Sequence, residues 1–201
     1  CANLLSVYDT PFLEAYMKNI HALALNILKD LGRCPATSFN EYLVSNKLMS
    51  ILKENSIDYS QDDYGNIVAK ISGTDESHRP IAYVAHMDHP GYEIIRDDED
   101  FFVGKSLGGV PRAAAMKGAD CFSFDQENNR HPCRIEPWDD GGEGEVKIVS
   151  EIKLDVGTPI TFNLPDFSLI DNQIEMRALD DLAGCASIMA SLIELNRESV
   201  A

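Results

Sequence analysis

The chain has 201 residues, 44% hydrophobic and 25% charged, enough to bury a real core as one large domain or two small ones. Seventeen Lys and Arg stand against 33 Asp and Glu, a net charge of −16 with no offsetting basic stripe, which argues against nucleic acid as a partner. No apolar run approaches the roughly 18–20 residues of a membrane span, and CANLLSVYDTPF lacks the basic end and apolar stretch of a secretory signal.

The first element in chain order is an amphipathic helix over residues 11–31. Leu13, Tyr16, Met17, Ile20, Leu23, Ala24, Ile27, Leu28 and Leu31 fall at i, i+3, i+4 spacing, with Thr10 before Pro11 as the start and Gly32 as the stop. His21 on it reads as a surface or packing residue. A second helix is expected to open at Ser38, which has capping-box spacing to Glu41, with Leu43, Leu48, Ile51 and Leu52 as its buried face.

From Tyr59 the texture changes. DDYGNIVAKISG reads as a turn through Gly65-Asn66 into a strand ended by Gly73, and TDESHRP as a polar connection holding His78. IAYVA, residues 81–85, is a continuous apolar run, as expected of a central strand buried on both faces. Helices followed by such strands predict an α/β sandwich around a mixed sheet. Between about 92 and 165 the helical period disappears. GYEII, DFFVG, CRIEPW, EVKIVS and PITFNL are strand-like pieces between Gly, Pro and acidic turns, the pattern of a small inserted β-rich module. The acidic runs RDDED and WDDGGEGE read as solvated loops and sheet edges. Residues 166–201 return to α/β texture, with Ile188, Met189, Leu192, Ile193 and Leu195 on an apolar helix face. The predicted organisation is therefore an α/β domain over 1–91 and 166–201, interrupted by a β-rich domain over 92–165.

Cys1, Cys34, Cys121, Cys133 and Cys185 form no C-x-x-C pair and read as reduced thiols of a cytoplasmic protein. The chain starts without Met and ends soon after an apolar helical run, which reads as a segment of a longer protein.

Two constellations carry candidate chemistry. In AHMDHPG, residues 85–91, His86 and Asp88 stand at i and i+2 where a strand is expected to end, so that the aspartate can orient the imidazole and leave its other nitrogen open. In ALDDLAG, residues 178–184, Asp181 is placed to cap a helix starting near Leu182, and Asp180, one residue earlier, can project as a carboxylate able to bridge two cations. Neither motif is specific alone; together, on either side of the β-rich module, they are.

The two motifs resemble A-H-M-D-E-[IV]-G and A-[LF]-D-D-R-x-G of the glutamyl-aminopeptidase/tetrahedral-aminopeptidase (endoglucanase-like) family of dinuclear metallopeptidases. DDYGNIVAKISG is similar to that family's D-x-x-G-N strand and SFNEYLV to its S-G-x-E helix opening. The resemblance implies an α/β/α sandwich of the metal-dependent exopeptidase type with an inserted small β domain, present here in its N-terminal portion and truncated at the C-terminus. It further implies two divalent ions, Zn or Co, with His86 a ligand of one, Asp180 bridging both and Asp88 orienting His86. The implied activity is removal of N-terminal residues from peptides, in a cytoplasmic homo-oligomer. The chain also departs from the pattern. His89 replaces the usual Glu, Leu182 the usual Arg, and Phe39 the Gly after Ser. The family's Glu-Glu base pair and last Asp and His ligands lie downstream of the D-D motif, and neither Glu194 nor Glu198 reads as that pair, so the chain holds about half of a dinuclear site. The other readings are a non-catalytic relative acting as scaffold or regulatory subunit, and another zinc exopeptidase or deacylase.

Overall fold

The computed structural model describes residues 11–73, 77, 79–110 and 118–200. Cys1, Thr10 and His78 fall outside the described residues, as do the side chains of Leu13, Tyr16 and Glu198.

Helix α1, Pro11–Gly32, begins at the proline whose fixed φ suits a first helical turn and ends at the expected glycine. Gly32 has a second reason to be there: a Cβ would sit 2.1 Å from the Asp166 backbone oxygen. Helix α2, Tyr42–Glu54, buries Val44, Leu48, Ile51 and Leu52, while Leu43 is only half-buried. Helix α3, Leu179–Val200, packs chiefly against α1 and supplies Leu182, Cys185, Ala186, Met189, Ala190 and Ile193. The three helices thus share one apolar core with Ile27, Leu28 and Leu31 of α1. Several expected members lie off it, Ile188 and Leu43 among them. Leu195 is exposed, because at 3.6 residues per turn it lies about 200° round the helix from Ile193, and Met17 is also exposed.

Strands β1 (Tyr59–Gln61) and β2 (Ile67–Ala69) form an antiparallel hairpin whose turn needs the left-handed φ of +90° at Gly65. The six strands β3 (Gly91–Asp97), β4 (Phe102–Leu107), β5 (Ala119–Phe124), β6 (Arg130–Glu136), β7 (Glu145–Ser150) and β8 (Pro159–Phe162) close into an antiparallel barrel in the order β3-β4-β7-β6-β5-β8. Tyr92, Ile94, Cys121, Cys133, Ile135, Val146, Ile148 and Ile160 fill it, a second core separate from that of the helices. Closure leaves no open edge. Strand β5, ADCFSF, was not among the five expected pieces: it contains no Val, Ile or Thr, so β-branched enrichment could not mark it. A last hairpin, β9 (Ser168–Ile170) with β10 (Gln173–Glu175), leads into α3.

The expected buried central strand at IAYVA is corrected. Among the described residues, 81–85 pair with no strand, and Ile81, Tyr83 and Val84 are 80%, 76% and 90% exposed. A doubly buried strand needs a hydrogen-bonding neighbour and a covering layer on each face. Only Ala85 and Met87 find cover, against the helical core.

One charged cluster ties the barrel to the helices. Arg130 on β6 reaches both oxygens of Asp166 at 3.0 and 2.9 Å, and Arg177 lies 2.9 Å from the same carboxylate. Arg177 also donates to the Gly32 carbonyl at 2.8 Å, and both guanidiniums lie over the Phe122 ring of β5, at 4.8 and 5.2 Å. Arg177 is 3% exposed, so burial presses its pKa down and the Asp166 charge opposes that shift. Replacing Asp166 with Ala leaves a buried cation without its counter-charge. The expected loss is about 2–4 kcal/mol by denaturant unfolding, below the full cost of a wholly buried pair because Asp166 is partly screened by water.

Candidate functional site

Residues 86–91 leave the uncovered run and enter the barrel through β3. His86 Nδ1 lies 3.0 Å from the Asp88 backbone oxygen and 3.3 Å from Asp88 Oδ1. Both neighbours are acceptors, so Nδ1 carries the proton and donates. In the neutral ring Nε2 is then a lone pair, and it faces Asp180 Oδ1 at 3.2 Å. Two acceptors so placed repel unless a proton or another cation stands between them. The structure therefore brings His86, Asp88 and Asp180 together, although 94 positions separate the first from the last.

The ALDD segment explains how Asp180 arrives. Asp180 (φ −92°, ψ 107°) and Asp181 (φ −124°, ψ 34°) lie outside helical geometry, and the peptide between them is cis. Asp181 Oδ1 accepts from the Gly184 N–H at 3.0 Å, the expected cap. Its neighbour is left to project, with a side chain 95% exposed. Cys185, whose thiol burial pushes up to about 11, donates to the His86 carbonyl at 3.4 Å and holds α3 against the same stretch.

His86 itself is half-exposed. Burial works against its charged form, but the Asp88 carbonyl and the Asp88 and Asp180 carboxylates outweigh it and raise the pKa above the ordinary histidine value. Among the described residues no group of three or more His, Cys, Asp or Glu side chains is placed to hold a metal. The side chains of His86, Asp88 and Asp180 are 54%, 35% and 95% exposed, so the cluster is open to solvent.

Two residues that spacing did not assign to this neighbourhood build it. Ser38 is not a helix cap: α2 starts after Glu41, which makes no side-chain capping bond, and α2 forgoes the ~1 kcal/mol a good cap gives. Ser38 Oγ instead donates to Asp88 Oδ2 at 2.5 Å, and Glu41 Oε1 accepts from the Phe39 N–H at 2.7 Å. Phe39, where the resembling family has Gly, takes φ +70° with its ring 85% exposed. A non-glycine residue persists there only where its surroundings impose it. His89 is 3% exposed and makes three bonds to nearby backbone. Its N–H donates to the Ala36 carbonyl at 2.8 Å, its Nε2 accepts from the Ala36 N–H at 3.0 Å, and its Nδ1–H donates to the Pro90 carbonyl at 3.1 Å. In the sequence, Ser38 carries the S-x-x-E spacing that reads locally as a cap, and His89 stands out as a departure from the family pattern.

No family model matches the chain. Of curated proteins, "Putative aminopeptidase SgcX" of Escherichia coli (strain K12) is 22% identical over 173 residues, covering 77% of this chain and 46% of its own. "Putative aminopeptidase YhfE" of Bacillus subtilis (strain 168) is 24% identical over 200 residues, covering 88% and 57%. The chain spans about half the length of these curated relatives. Among solved structures, the Pyrococcus horikoshii TET1 peptidase, which can assemble into a tetrahedron or a large octahedral shell, superposes with a TM-score of 0.71 at 18% identity, covering 87% of this chain and 57% of that one. The chain thus has a mixed α/β fold similar to the TET aminopeptidases, and the resemblance to aminopeptidases carried by the two motifs extends over most of its length.

The buried imidazole of His89 makes stability depend on pH. Burial, the largest cause, lowers its pKa from the usual 6.5 to about 4, so the fold favours the neutral ring. That contribution is fully present above pH 6.5 and is lost as pH falls toward 4, where Nε2 gains a proton and can no longer accept from Ala36. Wild-type protein should lose roughly 3 kcal/mol more than His89→Gln, which keeps an acceptor but does not titrate, between pH 7 and pH 4 in urea unfolding.

Proposed function

We propose that this chain carries part of the metal site of a cytoplasmic aminopeptidase that removes N-terminal residues from peptides and works as a homo-oligomer. The observation that supports it most is the His86 Nε2 lone pair facing Asp180 Oδ1 at 3.2 Å while Asp88 occupies the other ring nitrogen. Two donors bound at about 2.0–2.2 Å to one tetrahedral cation sit roughly 3.4 Å apart, so the pair fits a single ion such as Zn or Co. The free second oxygen of Asp180, on a side chain open to solvent, suits a carboxylate shared with a second ion.

In this reading residues 1–91 and 166–201 belong to a catalytic α/β/α sandwich into which a β-rich domain, 92–165, is inserted. His86 would hold one ion, Asp180 would be the carboxylate shared with a second, and Asp88 would orient His86. Bound there, the ions would supply polarisation of the scissile carbonyl and a lowered pKa for a water. The general base and the remaining ligands must come from polypeptide beyond the described residues. Assembly of the TET1 peptidase into closed shells supports the homo-oligomer. The strongly acidic chain suits cations and repels nucleic acid. A second reading, a non-catalytic scaffold relative, is favoured by the count of only two candidate ligands among the described residues.

Full-length protein is expected to bind two divalent ions per chain by metal analysis and to release N-terminal residues from short peptides. His86→Ala and Asp180→Ala should each lose at least one ion and lower activity by more than about 100-fold, beyond the loss typical of an outer-shell change. Retention of both ions in either variant refutes the ligand assignment, and full metal loading without peptide hydrolysis favours the scaffold.

A further inference from the structure

We infer that Ser38 is the positioning residue of this site: its hydroxyl, donated to Asp88 Oδ2, turns the other Asp88 oxygen toward His86 and so settles which imidazole nitrogen faces Asp180. The inference rests on the metal-site reading above and adds to it a residue from a different part of the chain.

The geometry places three contacts in succession, with the Asp88 carboxylate lying beside the Nδ1 bond to the Asp88 backbone oxygen. Ser38 Oγ lies 2.5 Å from Asp88 Oδ2, Asp88 Oδ1 lies 3.3 Å from His86 Nδ1, and His86 Nε2 lies 3.2 Å from Asp180 Oδ1. A hydroxyl-to-carboxylate bond this short is charge-assisted and directional. A carboxylate turning about its last single bond has only broad, shallow preferences. Fixing one oxygen therefore fixes the plane in which the other is presented. With Oδ1 and the Asp88 carbonyl both on the Nδ1 side, the proton is drawn there and Nε2 is left as the ligand atom.

Independent features hold Ser38 in place. His89 and Ala36 exchange two backbone-directed hydrogen bonds, and Thr37, fully buried, pairs with His89 in a parallel bridge. A Cβ on Gly91 would come 2.4 Å from Thr37 Cγ2, so the two segments are packed as closely as glycine allows. Phe39 follows in a left-handed conformation that its loop imposes on it. The buried neutral histidine, standing where the family writes Glu, thus acts on the site through the 36–38 loop. Ser38 is the atom-level contact that carries the effect to Asp88.

The test uses full-length protein and two readouts. Zinc affinity is measured by competition with a chromophoric chelator, and the His86 tautomer by long-range nitrogen–proton correlation on metal-free, histidine-labelled protein. Read at alkaline pH, where the imidazole is neutral, wild type is expected to show the Nδ1–H tautomer. Ser38→Ala should bind zinc about 10–100-fold more weakly and show mixed tautomers, and Ser38→Thr should restore both. Ser38→Cys, near in size but a weak donor, gives the same reading if the alanine variant fails to fold. Zinc affinity within about twofold of wild type with an unchanged tautomer in a folded Ser38→Ala or Ser38→Cys variant overturns the inference. If wild type binds no zinc, yet the tautomer still shifts in Ser38→Ala, the metal-site reading fails and the positioning role stands.

Discussion

His89 and Ala36 exchange two hydrogen bonds where water is excluded, and the geometry of the candidate site depends on that exchange. The imidazole is used as backbone uses itself: one nitrogen accepts an N–H and the other donates to a carbonyl. Because burial forces the ring to stay neutral, the acceptor at Nε2 is permanent at ordinary pH. The 36–38 loop is thereby held at a fixed distance from residues 88–91, at the entrance to β3. Everything at the site lies within one or two residues of that junction on one side, or is brought to it by α3 on the other.

The barrel and the helices are two separate apolar cores, and a charged cluster joins them beside the packing of Thr37 on Gly91 and of Tyr42 on Phe124. Asp166 stands between Arg130 of β6 and Arg177 of the segment leading to Asp180, with Phe122 beneath both guanidiniums. A buried network of this kind contributes little net stability compared with an apolar contact, but it is specific in geometry. Here it sets where the ALDD segment leaves the β9–β10 hairpin. Gly32 allows α1 to end against the Asp166 backbone, so the helix, the hairpin and the barrel meet at one point. The position of Asp180 relative to His86 follows from that meeting and from the Cys185 bond to the His86 carbonyl.

Much of this was legible from residues alone. The 3.6-residue period marked α1 and most of α3, since repeated burial of one face leaves a repeated pattern. Asp181 as a cap followed from its place one residue before a helical run, and the Gly65 turn from the need for positive φ. The motif pair named His86, Asp88 and Asp180, the three residues now found within hydrogen-bonding distance. Where local reading went astray, a distant partner had altered a residue's use. Ser38 has the spacing of a cap and spends its hydroxyl 50 positions away. Residues 81–85 have the composition of a buried strand and find no neighbouring strand among the described residues.

The sequence by itself determined which segments are helical, which texture is β-rich and which side chains are candidates for chemistry, because each of those rests on neighbours a few residues apart. Only the tertiary structure decided that six strands close into a barrel in the order β3-β4-β7-β6-β5-β8, that His89 is a structural tie and that Ser38 serves Asp88. It alone gave the His86 ring a direction, through contacts reaching 94 positions along the chain. Spacing records a repeating face or a local turn; it carries no record of which distant groups will satisfy one another once water is excluded.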